Sequence, residues 1–443
     1  MRPAVHCCLT TVRWVAGCVC LLCATGQDGR AQPLHPPAGP VEPLPALLGR
    51  EDAVWWALQY NPELAALRQQ RGIAAAAVVI AETYPFNPIW EARVQGNSGP
   101  ASAAITNSVQ QEHRVALELE VRGQGQYRRQ SAYAGLARTD WEIVFQEQTL
   151  AVRVIRAFNA VVYRRKKLQL LEQTVTLLET TLDQANRSFQ IQRIPRGDVI
   201  VAEADLYDAR SLLGFGRTAL ASAEYDLRRA LGIVNQPLNI QGELDVPPPP
   251  WPVEALLQGA LEQRADLRAR QAGVSEAQAR LDLEIANRYG NPTLGPIWSY
   301  DPTRVSSQGV SLTVPLPVLN SHRGEIQQRD AERLRSGLDL RQVEVAVQQD
   351  VAAALRHLQE ARAWQQRYEK EILPDLQNRV KEMQTLLEKG LTDPLRMSAF
   401  QRSLLRTRDS YLDALLEVAQ AEAELAAAVG DPGLALNPGQ VHK

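Results

Sequence analysis

Apolar positions along the chain follow two different periods. Leu168, Leu171, Val175, Leu178, Leu182, Ala185 and Phe189 step by three and four residues, the spacing of a helix that buries a narrow stripe against its neighbours. A second run places Val347, Val351, Leu355, Leu358 and Ala361 in the same way, then Tyr368, Ile372, Leu376, Val380, Met383 and Leu387. These runs predict two very long helices, over 128–192 and 325–389, each of which would reach about 100 Å at the rise of an α-helix. Tight turns follow both, at Ile194-Pro195-Arg196-Gly197-Asp198 and at Gly390-Leu391-Thr392-Asp393-Pro394. Each long helix is therefore expected to double back as an antiparallel hairpin.

The second period is two. In Val115 to Arg122, one face carries Val115, Leu117, Leu119 and Val121, and the other Ala116, Glu118, Glu120 and Arg122. A counterpart puts Val310, Leu312, Val314 and Leu316 opposite Ser311 and Thr313, and two further strands are expected at Ile89–Gln95 and Thr293–Tyr300. These lengths approach what a tilted strand needs to cross a bilayer, and apolar-out, polar-in alternation marks a membrane barrel with a wet lumen. The expected lipid-facing positions are Val115, Leu117, Leu119, Val310, Leu312 and Val314. Glu118 and Glu120 are expected to face water, with Trp90, Trp298 and Tyr300 in the aromatic girdle. An ordinary soluble sheet shows the same alternation; the duplicated hairpin and the helix length favour the barrel. Four strands cannot close in lipid without stranded backbone groups, so several chains must share one barrel.

The pattern is itself repeated. Ala57-Leu58 and Glu63-Leu64 answer Ala260-Leu261 and Asp266-Leu267. Asn87-Pro88 answers Asn291-Pro292, Arg122-Gly123-Gln124 answers Arg323-Gly324-Glu325, and Ala230-Leu231-Gly232 answers Ala428-Val429-Gly430. A tandem duplication must be read before any local motif. Each half runs helix, strand, strand, very long helix, helix. The first helix breaks at Asn61-Pro62, where asparagine can cap and proline can take the first helical position. Pro-rich stretches punctuate the halves. The expected organisation is a signal peptide over 1–26, a linker over 27–50, repeat 1 over 51–232, a linker over 233–250, repeat 2 over 251–430 and a tail over 431–443. The fold class is mostly α with a small membrane β part: long coiled-coil helices building an α-barrel, and four strands per protomer of a shared β-barrel.

Composition adds a location. All five cysteines, Cys7, Cys8, Cys18, Cys20 and Cys23, fall in the first 23 residues. Arg2 and Arg13 lead into an apolar run ending in the small-residue site Ala24-Thr25-Gly26, a secretory signal. Val15-Ala16-Gly17-Cys18 also reads as a lipobox that would leave Cys18 lipidated. Either way the protein is exported. A formal net charge of −2 gives no pull toward nucleic acid.

The segment Ala57-Leu58-Gln59-Tyr60-Asn61-Pro62-Glu63-Leu64, the Asn-Pro pair before each hairpin and the two reversal turns resemble the TolC-type outer-membrane efflux family across residues 50–430. Pro315-Leu316-Pro317-Val318-Leu319-Asn320, followed by Arg323-Gly324-Glu325-Ile326, is most similar to its heavy-metal branch, which serves cobalt–zinc–cadmium and copper–silver pumps. The resemblance implies a homotrimer in the outer membrane, with its helices forming a tunnel through the periplasm. The tunnel tip would meet a periplasmic adaptor joined to an inner-membrane transporter. The matching tip positions are Arg193, Ile194, Arg196, Gly197, Asp198, Gly390, Leu391 and Asp393. Some members narrow the entrance with paired acids just beyond the second turn; Arg396 and Ser398 stand there in this chain. Asp198 and Asp393, in helix-starting turns, read as caps.

No catalytic chemistry or cofactor is expected. The six histidines are scattered without thiol partners, whereas a metal site needs several converging ligands. Gly123 and Gly125 lack the third glycine of a phosphate loop, and no Ser/His/Asp arrangement stands out. The alternatives are a periplasmic adaptor, which would carry a single helical hairpin between sheet domains, and a structural coiled coil. Within the family, drug efflux and type I secretion channels are the alternatives to metal efflux.

Overall fold

The structure is a computed structural model that describes residues 44–98, 108–234, 236–244, 253–303, 305–389 and 394–436. The expected signal segment with Cys18, most of the first linker, and Gly390, Leu391 and Asp393 of the second turn lie outside the described residues.

The first half runs α1 (Arg50–Tyr60), α2 (Pro62–Glu82), β1 (Ile89–Asn97), β2 (Ser108–Glu118), α3 (Gln124–Gln190) and α4 (Arg196–Leu231). The second runs α5 (Val253–Gln263), α6 (Ala265–Asn287), β3 (Thr293–Tyr300), β4 (Ser306–Thr313), α7 (Arg323–Arg367), a π-helical turn (Tyr368–Ile372), α8 (Leu373–Glu388) and α9 (Pro394–Val429), closed by the short α10 (Gly433–Leu436). The order expected from the duplicated pattern is the order observed.

At the α1–α2 break the Asn61 carboxamide oxygen accepts from the backbone N–H groups of Glu63 and Leu64, and Pro62 stands in the first turn. The first long helix is unbroken for 67 residues. The second was expected to be continuous and is not: the π turn at Tyr368–Ile372 interrupts it. The seam explains where. Tyr368, Ile372, Leu376 and Val380 advance by four at every step, too slowly for a 3.5-residue period, and one locally widened turn absorbs the drift.

The main core is a belt at mid-length of α3. Ile155, Phe158 and Val161 meet Trp56 and Ala57 of α1, Leu227 and Leu231 of α4, and Ala419, Ala423 and Ala426 of α9. A second cluster joins α5, α7 and α9 through Ala260, Val347, Val351, Leu358, Ala421 and Leu425. The alanines of α9 let three helices approach closely, and removal of these apolar groups from water drives the packing. The segments read as linkers join this belt. Leu48 is buried and forms a parallel bridge with Ile240, while Leu238 and Leu244 are also buried in the cluster. A slack tether would leave such leucines in water.

Further along the first hairpin, Val175 and Leu178 pack on Leu206 and Ala209, and Ala185 packs on Val199 and Ala202. Within the expected seam Phe189 is exposed, one residue before α3 ends.

Candidate channel surfaces

The four strands form one antiparallel sheet in the order β1-β2-β3-β4. Cross-strand partners share a face, so the register sorts every side chain. Trp90 pairs with Val115, Leu117 with Leu294, and Leu294 with Leu312. One face therefore carries Trp90, Ala92 and Val94; Gln111, His113, Val115 and Leu117; Leu294, Pro296, Trp298 and Tyr300; and Ser306, Gln308, Val310 and Leu312. The opposite face carries Ile89, Glu91, Arg93 and Gln95; Gln110, Glu112, Arg114, Ala116 and Glu118; Thr293, Ile297 and Ser299; and Ser307, Ser311 and Thr313. One face is mainly apolar and aromatic, the other mainly charged and hydroxylic. Val310 and Leu312 are 74% and 64% exposed, an arrangement that water does not favour.

Gly295 is a requirement of this sheet. A Cβ there would lie 1.7 Å from the Val115 carbonyl oxygen, so only glycine lets β3 approach β2 so closely. His113, on the apolar face, stacks between Trp90 and Trp298, with ring centroids 5.9 Å and 5.3 Å apart. On the opposite face Arg114 donates to the Thr313 hydroxyl across β3 at 3.0 Å.

Two expectations about β2 are corrected. The strand was expected over 115–122 and runs from Ser108 to Glu118. Its upstream part, Gln110 to Arg114, is polar on both faces and has no period-two signal; only the ladder with β1 reveals it. Downstream, the Tyr84 hydroxyl donates to the Glu118 carbonyl and accepts from the Glu120 N–H, which ends the ladder. Leu119 therefore lies just past the strand, its N–H on the Pro292 carbonyl. Glu120 does not open onto a water-filled face; its carboxylate pairs with Arg128 of α3. Val314 likewise lies one residue beyond β4.

Below the sheet the two halves are bolted together. Arg122 donates to the Gly290 carbonyl at 2.9 Å and stacks over Tyr289. The Gln124 amide donates to Asn291 at 2.6 Å, and the Asn291 amide donates to Glu118 at 3.0 Å. In the β3–β4 turn the Asp301 carboxylate accepts from the Thr303 hydroxyl and from the Thr303 and Val305 N–H groups. The Thr303 hydroxyl first, then the Val305 amide, hold that carboxyl below its ordinary range.

At the opposite end of α3, Arg193, Arg196, Gly197 and Asp198 are exposed and Ile194 packs beside Ala185, Val199 and Ala202. Asp198 is not the cap it was expected to be. Pro195 holds the N-cap position without a side-chain bond, and Asp198 sits in the first turn, where the helix dipole favours an acid. Among the described residues no group of three or more His, Cys, Asp or Glu side chains is placed to hold a metal ion. No described helix is long and apolar enough to cross a membrane.

Residues 256–431 match the model of the family described as outer membrane efflux protein. No curated protein matches the chain. Among solved structures, the chain is similar to the CusC channel protein (17% identity, TM-score 0.69, covering 90% of this chain and 96% of that one). It is also similar to the CmeC outer membrane channel of Campylobacter jejuni (10%, 0.71, 86% and 85%). The open-state MtrE outer membrane channel of Neisseria gonorrhoeae gives 16% identity, a TM-score of 0.68 and coverage of 88% and 91%. These solved structures are of channels. Residues 256–431 thus match the outer membrane efflux protein family, and over 86–90% of its length the chain has the fold of outer-membrane channels.

Proposed function

We propose that this protein is the outer-membrane component of a tripartite efflux system, a homotrimer that conducts exported substrates from the periplasm or from an inner-membrane pump to the exterior. One observation carries the reading: a four-stranded sheet with one apolar and one charged face, open at both edges, stands on helices of up to 67 residues. Hydrocarbon covers the apolar face, and Val115, Leu117, Val310 and Leu312 contact lipid, whereas Leu119 and Val314 lie past the strand ends. The charged face lines a wet lumen. Three copies close the barrel, because open strand edges have no hydrogen-bond partners in lipid.

The helices extend into the periplasm. The turns at Arg193–Asp198 and at Gly390, Leu391 and Asp393 dock on a periplasmic adaptor, which joins the channel to an inner-membrane transporter. The domain division proposed with this reading has repeats over 51–232 and 251–430. Heavy-metal cations are the cargo class favoured by the Pro315–Asn320 and Arg323–Ile326 motifs. Such ions would pass as cargo in a watery conduit and need no resident site.

Fractionation and conductance test the function. The chain should partition with outer membranes, migrate as a heat-modifiable oligomer, and open ion-conducting pores in planar bilayers. Recovery as a soluble periplasmic monomer without pore activity would overturn the reading. Sensitivity of a deletion strain to cobalt, zinc, cadmium, copper or silver, set against sensitivity to dyes and detergents, tests the cargo.

A further inference from the structure

Contacts between the two halves form a series that the single chain leaves one step short. The long helix α3 packs on α2 of its own half and on α6 of the other half, and α7 packs on α6. Among the described residues the equivalent of the α3–α6 packing, α7 against an α2, is not built within the chain to any comparable extent. The surfaces for it are present and uncovered. Ile73, Val79 and Ile80 of α2 are exposed, as are Leu334, Leu338 and Val345 of α7.

The junction beneath the sheet repeats the same incompleteness. Where β2 leads into α3, Arg122 and Gln124 bond the segment before β3, at Gly290 and Asn291. Their repeat counterparts, Arg323 and Glu325, are exposed and make no side-chain hydrogen bond or ion pair among the described residues. Asn87, the counterpart of Asn291, is also exposed and unbonded. β1 and β4, which flank these groups, are opposite edges of one sheet, so the two open half-junctions cannot meet inside one chain. The connector 314–322 is longer than its counterpart 119–123 and places Leu316, Val318 and Leu319 in full view of solvent.

We infer that α7 and the connector 314–322 of one protomer seat against α2 and the Tyr84–Pro88 segment of a second copy, latched by an Asn87 amide donating to the Glu325 carboxylate. The inference rests on the channel reading. It continues an interface already built within the chain: Gln124 on Asn291 becomes Glu325 on Asn87. A head-to-tail contact of this kind, using different surfaces on the two partners, generates a closed ring when the rotation closes. Glu325 in place of glutamine makes the seam latch charge-assisted, and hence stronger than its neutral counterpart.

The test uses two full-length chains with different epitope tags, co-expressed, one carrying Asn87→Cys and the other Glu325→Cys. The native cysteines all precede residue 24, so the background is simple. A short thiol cross-linker should give a dimer carrying both tags, and neither variant alone should cross-link to itself. Asn87→Asp, which sets one carboxylate against another, should lower oligomer yield several-fold, and adding Glu325→Gln should restore it. A merely structural role for either side chain predicts no such restoration. Outer-membrane oligomers that conduct ions yet show no mixed-tag product would overturn the latch and leave the channel reading standing. Absence of any oligomer in the wild type would sink both. A fluorophore on Leu319→Cys that is quenched by brominated phospholipid as strongly as one on Val310→Cys would assign the connector to lipid and overturn the seam.

Discussion

The Asn61 amide donates to the Ala230 carbonyl at 2.8 Å, so one buried side chain caps the start of α2 and holds the end of α4. The other half solves the same problem with a different residue: Arg264 donates to the Ala428 carbonyl at 3.1 Å. Both carbonyls precede a glycine in the left-handed region, Gly232 and Gly430, whose Cβ positions are blocked by Asn61-Pro62 and by Arg264. Asn61→Ala removes a cap worth about 1 kcal/mol. It also strands a buried carbonyl, at a further cost of about 1–3 kcal/mol. Urea titration of the purified oligomer should show this loss, with Asn61→Asp retaining the cap and losing less. An alanine variant as stable as wild type would mean that water replaces the amide and the tie is dispensable.

The sheet register gives a cleaner comparison of faces than the strand end. Val310 and Ser311 are neighbours in β4 on opposite faces, whereas Glu118 already holds Asn291. Arginine at a lipid-facing position costs about 2–4 kcal/mol near the bilayer centre and little in a wet lumen. Val310→Arg should therefore cut outer-membrane oligomer yield sharply, and Ser311→Arg should leave it near wild type while altering ion selectivity. Equal yields of the two variants would contradict the assignment of the apolar face to lipid.

His357 of α7 reaches two carboxylates of α9, Nδ1 to Glu424 and Nε2 to Glu417, each at 2.8 Å. Both ring nitrogens can donate only in the imidazolium, and the Glu424 bond first, then the Glu417 bond, raise the histidine above its ordinary value. A raised folded pKa contributes stability that is complete below the unfolded pKa and lost as pH climbs through the folded one. The clamp should be fully engaged below about pH 6.5, the ordinary histidine range, and released only as pH climbs through the raised folded value. The ring is 40% exposed, so solvent screens the pair and the effect is small. Melting of the oligomer at pH 6 and pH 9, at low salt, should show a larger fall for wild type than for His357→Gln. Identical falls would exclude His357 as the titrating group.

What the sequence made legible depended on how local the cause was. The Asn61 cap, the duplicated order of elements and the outward set Val115, Val310 and Leu312 all follow from short-range spacing. The upstream half of β2 did not, because Gln110 to Arg114 becomes a strand only through pairing with Gln95–Glu91. Burial of Leu238 and Leu244 was equally invisible. Their neighbourhood looks like a proline-rich tether, and the partners that bury them, Leu48 among others, are distant in the chain. Arg122 and Glu120 were read as strand residues since alternation continues through them. Their capture by Gly290 and Arg128 is a tertiary event that no local period encodes.

The turn at the foot of the first hairpin allows function to be separated from folding. Ile194 anchors it by packing beside Val199 and Ala202, while Gly197 points into open space, with no atom within 4 Å of a Cβ built there. Gly197 is also absent from the positive-φ residues, so arginine meets neither a steric block nor a backbone penalty. Arg193 and Arg196 already make this turn basic. A third cation there should repel an adaptor that docks on it, since added like charge weakens an electrostatically matched interface. Gly197→Arg is therefore expected to leave outer-membrane oligomers at wild-type level while abolishing export and cross-linking to a co-expressed adaptor. Ile194→Ala serves as the contrast, losing stability through the emptied contact. Unchanged adaptor cross-linking and export in Gly197→Arg would show that the adaptor docks elsewhere on the helices, and the tripartite arrangement would then need a different contact surface.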